Sequence, residues 1–106
     1  MNPFDVVKQF ESAIAEFASA PYAVAVETGT AALLLSCCYR QVQEVEIPKR
    51  TYVSVPCSII HAGGKVKFRD EEWNGVYELK PYKIIDGALR FKKGMYQSGT
   101  LHCLSF

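Results

Sequence analysis

The hydrophobic residues of the first fifth of the chain recur at the spacing of an amphipathic helix. Between Phe4 and Phe17 the apolar positions lie three or four residues apart, with polar and charged residues between them. Asn2 can cap this helix, and Pro3 suits its first position because proline lacks the N–H that would stay unbonded there. The sequence Ser19-Ala20-Pro21 ends the pattern. A helix over residues 4–17 is therefore predicted.

A strand, a tight turn and a second helix are predicted next. Tyr22–Val26 is a continuous apolar run typical of a short buried strand, and Ala31–Tyr39 is rich in helix formers. In this order of elements, free backbone N–H groups at the helix start point towards an anion. Thr28 is a natural N-cap, Gly29 allows close approach of a ligand, and Thr30 adds a hydroxyl. Two interpretations stay open here: a phosphate-binding cradle, or an ordinary capped turn.

Shorter elements are predicted over the rest of the chain. Val45–Ile47 predicts a strand, and residues 51–60 predict a helix with Ser54 as its cap, ending at the glycines 63 and 64. The further predicted strands are Lys65–Phe68, Val76–Leu79, Lys83–Ile85 and Leu101–Phe106. A polar turn at residues 70–75 and a basic loop at residues 90–94 separate them.

The order of these elements predicts an α/β fold. Strands alternate with helices over the first two thirds, as in a parallel sheet with right-handed crossovers, whereas the last third predicts an antiparallel pair or hairpin. Ligands bind at the carboxyl ends of strands in such sheets, so Thr28–Thr30, Arg50–Tyr52, Asp86 and Ser105 are expected near one edge. Asp86 directly follows an apolar pair at the end of a predicted strand. A carboxylate in that position is typical of a site residue.

Composition fits one domain over residues 1–106. Hydrophobic residues make up 49% of the chain and charged residues 22%, enough for a packed core in a chain too short for two. A net charge of +1 argues against a general nucleic-acid or membrane-surface binder. No apolar run is long enough to span a membrane. The first residues do not have the pattern of a secretory signal. The four cysteines lack a C-x-x-C pair and are interpreted as buried fillers in a reducing compartment, the cytoplasm, with no metal site.

Two further sets of residues are open to interpretation. His61 and His102 are isolated in the sequence and are interpreted as packed or solvated side chains rather than catalytic ones. Arg90, Lys92 and Lys93 form either a solvated loop or a contact for an anionic nucleotide.

Four blocks of sequence resemble, in the same order, the DegT/DnrJ/EryC1/StrS family of nucleotide-sugar aminotransferases. The blocks read FESAIAEFASAPYAVAVETGTAALLLS, EIPKRTYVSVPCSIIHAGGKVKFRD, IIDGA and SGTLHCLSF. That family has fold type I and depends on pyridoxal 5′-phosphate (PLP). The resemblance implies a reduced aminotransferase large domain, an α/β fold with a mixed, mostly parallel sheet and flanking helices. It also implies a dimer that shares its active site, and a nucleotide sugar or other phosphate ligand.

The resemblance assigns PLP-binding roles to five residues. Gly29 and Thr30 match the glycine and threonine that hold the PLP phosphate, and Ser105 matches a serine that gives the phosphate another hydroxyl. Tyr52 matches the aromatic residue that stacks on the pyridine ring. Asp86 matches the aspartate that pairs with the protonated pyridine nitrogen, which keeps the ring cationic as an electron sink.

The sequence also departs from the family pattern. The lysine that forms the Schiff base lies shortly after the SF pair in the family, whereas this sequence ends at Phe106 and none of its lysines stands in the matching place. Leu89 replaces a glutamine that contacts the cofactor ring, and Thr28 replaces a serine. The segment between Asp70 and Lys83 is shorter than in the family by a strand and two helices.

These departures lead to two expectations. The first is an aminotransferase-like protein that keeps part of the PLP-phosphate cradle, has no catalytic residue of its own, and is not an active transaminase alone. The second is a non-catalytic protein that uses the same fold to bind a phosphate-bearing ligand or a partner chain. The two losses together favour a shortened gene over an arbitrary fragment.

Overall fold

The computed structural model describes residues 2–106, which form three helices and five short strands. The helices are α1 (Pro3–Ala18), α2 (Gly29–Arg40) and α3 (Ser54–His61). The strands are β1 (Glu44–Pro48), β2 (Lys65–Arg69), β3 (Tyr77–Leu79), β4 (Ile84–Asp86) and β5 (Leu101–Cys103). Each of these elements overlaps one that the sequence predicts. No helix within residues 2–106 is both long and apolar enough to cross a membrane.

The strands form two small sheets. β1 and β2 pair in parallel, and β4 pairs antiparallel with β3 and parallel with β5. Glu46 and Lys80 exchange backbone hydrogen bonds of 2.9 and 3.0 Å, and this isolated antiparallel bridge links β1 to the residue after β3. The predicted mixed α/β arrangement is therefore present, as two linked sheets rather than one, and it corresponds only partly to an aminotransferase large domain.

The starts of the first two helices follow the capping chemistry of the sequence. Asn2 accepts the Phe4 N–H at 2.9 Å, and Thr28 accepts the Ala31 N–H at 3.0 Å. Because these N–H groups have no acceptor within their helices, the caps fix where the helices begin. The predicted cap of α3 is wrong: Ser54 is the first helical residue, and no side chain caps the helix.

The hydrophobic core lies between the sheets and one side of α2 and α3. Its completely buried members include Val45 and Ile47 of β1, Ile59 of α3, Leu79 of β3 and Ile84 of β4. Burying each such side chain contributes roughly 1.5–3 kcal/mol. β1 thus connects the two sheets through its apolar residues as well as through the backbone bridge.

The four free cysteines divide into two environments. Cys37 and Cys103 are buried, and burial raises the pKa of each thiol to about 11. Cys38 and Cys57 are exposed. The interpretation of the cysteines as buried fillers is therefore correct for the first pair and wrong for the second. Cys38 is exposed because adjacent residues of a helix point to different sides, and Cys57 lies on the exposed side of α3.

The predicted strand over Tyr22–Val26 is wrong. These residues run without a turn or a bend, but they belong to no strand. Tyr22 is 77% exposed and Val24 74%. The Glu11 carboxylate accepts the Ala25 N–H at 2.7 Å, and it is the only group within residues 2–106 that bonds the backbone of this segment. A strand needs partners for its backbone groups, and this apolar segment has no neighbouring strand to supply them.

Candidate functional site

The start of α2 presents unbonded backbone donors. Thr28 accepts the N–H groups of Ala31 and Ala32 through its hydroxyl and its carbonyl, both at 3.0 Å. Within residues 2–106, no group accepts the N–H of Gly29 or of Thr30. The helix dipole favours an anion at this position, and the first turn of α2 has no acidic side chain to compete with one. This helix start is therefore suited to a phosphate group.

Ser105 lies directly against this helix start. A Cβ atom placed on Gly29 would stand 3.3 Å from Ser105 Cβ and 3.6 Å from Ser105 Oγ. The missing side chain at residue 29 therefore leaves space for the serine. Thr30, on the exposed side of the same turn, adds a second hydroxyl. The structure thus places the three residues assigned to the phosphate at one helix N-terminus.

Asp86 is buried at the end of β4, and both of its carboxylate oxygens have partners. The Tyr77 hydroxyl donates to Oδ2 at 2.5 Å, and the Ala88 N–H donates to Oδ1 at 3.1 Å. Burial and the bond to Asp86 raise the pKa of Tyr77, so this hydroxyl remains a donor. Tyr77 was not identified from the sequence as a site residue. Pairing the two predicted strands β3 and β4 as a hairpin would have set Tyr77 opposite Asp86.

Tyr52 and Asp86 line a shared cleft that is too small for an aromatic ring. The cleft holds about 10 Å³, and Tyr52 is 70% exposed at its rim. Trp73 also lines it, packing against Tyr77 with ring centroids 4.6 Å apart and donating its indole N–H to the Arg50 carbonyl at 2.6 Å. Trp73 therefore fills space beside the two residues that were assigned to the pyridine ring.

Four of the five predicted site residues form two groups that line separate spaces, and the fifth, Thr30, lines neither. Gly29 and Ser105 line a cavity of about 640 Å³ between α1, α2 and the residues after β5, whereas Tyr52 and Asp86 line the small cleft. The two spaces have no lining residue in common. They are nonetheless close, because Asp86 pairs with Cys103, and Ser105 follows only two residues later, about 7 Å along an extended chain. The first group fits a phosphate; the second group does not fit a pyridine ring.

No lysine lines either space. Lys92 and Lys93 are exposed in the loop before β5, and neither faces the start of α2 through the larger cavity. Leu89 is exposed at the rim of the small cleft, where it offers no polar atom to a ligand. The described residues thus supply phosphate donors without a neighbouring amine.

Comparison with known proteins identifies the relationship. The model of the DegT/DnrJ/EryC1/StrS aminotransferase family matches residues 2–85, most of this 106-residue chain. The matched range contains Gly29, Thr30 and Tyr52, whereas Asp86 and Ser105 lie beyond it. Neither the curated proteins nor the solved structures gave a match. The family is generally PLP-dependent. On the extent of the family match, the chain belongs to the DegT/DnrJ/EryC1/StrS aminotransferase family.

Proposed function

We propose that this chain is an aminotransferase-like protein that binds a phosphate-bearing ligand at the start of α2 and is not a transaminase on its own. The contact between Gly29 and Ser105 is the observation that carries the proposal. It sets a serine hydroxyl beside two backbone N–H groups that have no acceptor within residues 2–106. Donors in this arrangement are matched to the oxygens of a phosphate monoester.

Each phosphate-binding residue has a separate task in this proposal. The N–H groups of Gly29 and Thr30 donate to the phosphate oxygens along the helix axis, where the dipole adds to the attraction. The hydroxyls of Thr30 and Ser105 donate from the sides. Hydrogen bonds to an anion are roughly twice as strong as those between neutral groups. PLP is one phosphate monoester of the right kind, and a nucleotide sugar also carries phosphate groups.

The residues assigned to the ring do not complete a PLP site in this chain. PLP, when bound, supplies an electron sink through its protonated ring. Here the Asp86 carboxylate is occupied by Tyr77 and Ala88, and Tyr52 lies at the surface. No lysine adjoins either group. The proposal therefore limits the chain to holding the phosphate end of a ligand.

Thermal unfolding with inorganic phosphate, PLP and a nucleotide sugar tests the binding. A ligand at 100 times its Kd stabilises the folded chain by about 2.7 kcal/mol, so the Tm should rise with phosphate and not with chloride at equal ionic strength. Ser105→Ala and Thr30→Val should reduce the rise. Ser54→Ala, at the start of α3, is the matched control and should leave it unchanged. If neither phosphate nor PLP raises the Tm, the binding proposal is wrong.

Borohydride reduction tests the second half of the proposal. If the chain holds PLP without an amine partner, reduction followed by mass spectrometry should leave the protein without a PLP-lysine adduct. Stoichiometric modification of one lysine, with an absorption band before reduction, would show that a lysine does serve and that the chain is closer to an enzyme than proposed. This result is independent of the thermal shift with phosphate.

A further inference from the structure

We propose that two copies of this chain associate through their Tyr22–Val26 segments, which pair as antiparallel strands about a two-fold axis near Val24. The segment has the composition of a strand and runs straight between bends at Pro21 and Glu27. No strand among residues 2–106 pairs with it. A second copy brings the same segment, and an antiparallel edge is complementary to itself.

The hydrogen bond to Glu11 shows which edge is free. Glu11 takes the Ala25 N–H, so this edge of the segment faces α1. Successive residues of an extended chain direct their backbone groups to opposite sides, and those of Tyr22, Val24 and Val26 therefore face away from Glu11. Within residues 2–106 these groups have no partner. Pairing centred on Val24 would join them to the second copy by about six hydrogen bonds.

The surface around the segment is apolar. The segment forms one wall of the 640 Å³ cavity, and α1, α2 and the residues after β5 form the others. Large apolar side chains that line this cavity and remain exposed are Phe10, Tyr22, Val24, Leu35, Tyr39 and Phe106. A second copy paired with the segment would lie along this wall of the cavity and remove part of this apolar surface from water.

The chain exposes more surface than a compact monomer of its mass. The accessible surface is 7203 Å², compared with about 6,000 Å² for a compact monomer of the same mass. The radius of gyration of 14.0 Å likewise exceeds the value of about 13 Å that is typical of this length. The surplus of about 1,200 Å² is larger than the roughly 800 Å² that each chain buries in a standard interface. The chain as a whole therefore exposes enough surplus surface for one interface of standard size.

Analytical ultracentrifugation of the full chain and of two proline variants tests the pairing. Val24→Pro removes an N–H from the free edge, whereas Ala23→Pro stiffens the adjacent residue and removes an N–H from the edge that faces α1. The wild type should dimerise, Val24→Pro should weaken the dimer more than about tenfold, and Ala23→Pro should change it far less. A wild type that stays monomeric at high concentration, or equal effects of the two prolines, would overturn the proposal.

Cross-linking tests the register and does not depend on the proline variants. In a chain with Cys38→Ser and Cys57→Ser, Val24→Cys places a thiol on the two-fold axis. Residues in a hydrogen-bonded antiparallel pair have Cα atoms about 5.5 Å apart, which a disulfide can span. Oxidation should link two copies through residue 24, and Val53→Cys, an equally exposed valine, should not link them. Equal linkage at both positions would refute ordered pairing.

Discussion

The hydrogen bond between Tyr77 and Asp86 makes a quantitative prediction about stability. Tyr77→Phe removes the hydroxyl and leaves Asp86 Oδ2 without its donor in a side chain that is only 7% exposed. A hydrogen bond to a charged group contributes about 1.5–3 kcal/mol to stability. We therefore expect Tyr77→Phe to lower the free energy of unfolding by about 2 kcal/mol. For a domain of this size that corresponds to a fall in Tm of about 10 °C.

Tyr96→Phe is the matched control. The Tyr96 hydroxyl also donates one hydrogen bond, at 3.1 Å, but to the carbonyl of Thr100, a neutral acceptor. A neutral bond of this kind contributes about 0.5–1.5 kcal/mol. Urea unfolding followed by circular dichroism measures both variants. Combining Tyr77→Phe with Asp86→Ala isolates the pair, since the coupling energy should be at least about 1 kcal/mol if the two groups interact directly.

Two outcomes would refute this reasoning. If Tyr77→Phe costs no more than Tyr96→Phe, the bond to Asp86 is no stronger than a neutral one. If Tyr77→Phe is equally costly with and without Asp86, its effect comes from other surroundings of the hydroxyl rather than from the carboxylate, because the ring and its packing against Trp73 are unchanged. In either case Asp86 would be less firmly held, and its availability to a ligand would have to be reconsidered.

Three further predictions concern pH, packing and thiol reactivity. Burial lowers the pKa of His102 from 6.5, and within residues 2–106 neither of its ring nitrogens has a hydrogen-bond partner. The stability that depends on neutral His102 should therefore be complete above pH 6.5 and fall as the pH drops below it. His102→Leu should flatten this acid limb in urea unfolding, with His61→Leu, at an exposed histidine, as the matched substitution. Gly64→Ala sets a Cβ 3.0 Å from the Gln43 carbonyl oxygen and 3.0 Å from Ile59 Cγ2. Gly99→Ala meets nothing within 4 Å and costs only the strain of a positive φ of +82°. Gly64→Ala should therefore lower the Tm more, and equal effects would show that the strain at Gly99 matters as much as the contacts at Gly64. Native alkylation with iodoacetamide should modify the two exposed cysteines and spare the two buried ones with raised pKa values, as mass spectrometry would show; rapid loss of all four thiols would contradict the buried positions. The exposed pair is Cys38 and Cys57, and the buried pair is Cys37 and Cys103.

The features that the sequence predicts well depend on neighbours along the chain. Asn2 and Thr28 cap the first two helices because a cap needs only the residues that follow it. β1 is similarly evident, since Val45 and Ile47 alternate with polar residues. In β2, Val66 and Phe68 alternate with basic residues in the same way. The strand over Tyr22–Val26 is not formed, because a strand depends on a partner that no local pattern can guarantee. The composition of the segment indicates a strand, but the composition does not determine whether another strand lies beside it.

The same distinction applies to the candidate site. The donors at Gly29 and Thr30 follow from a capped helix start, and their geometry is evident from the residues themselves. The approach of Ser105 depends on β5 pairing with β4, which only the structure shows. The hydrogen bond that Asp86 accepts through Oδ2 depends on Tyr77, which the hairpin of β3 and β4 brings opposite it. Motif matching gives the position of the carboxylate but not its partners.

The proposed phosphate site and the residues assigned to the ring occupy separate places in this chain. The start of α2 is held by contacts of the helix itself, because Thr28 caps it and Leu33 and Cys37 of the same helix are buried in the core. It keeps its donors even though the preceding residues 22–26 are unpaired. The two residues assigned to the ring, Tyr52 and Asp86, line a cleft of only about 10 Å³, which is too small for an aromatic ring. A helix start of this kind keeps its backbone donors without any tertiary contact to the ring-binding residues, and this physical difference is why phosphate binding, rather than transamination, is the activity to test first.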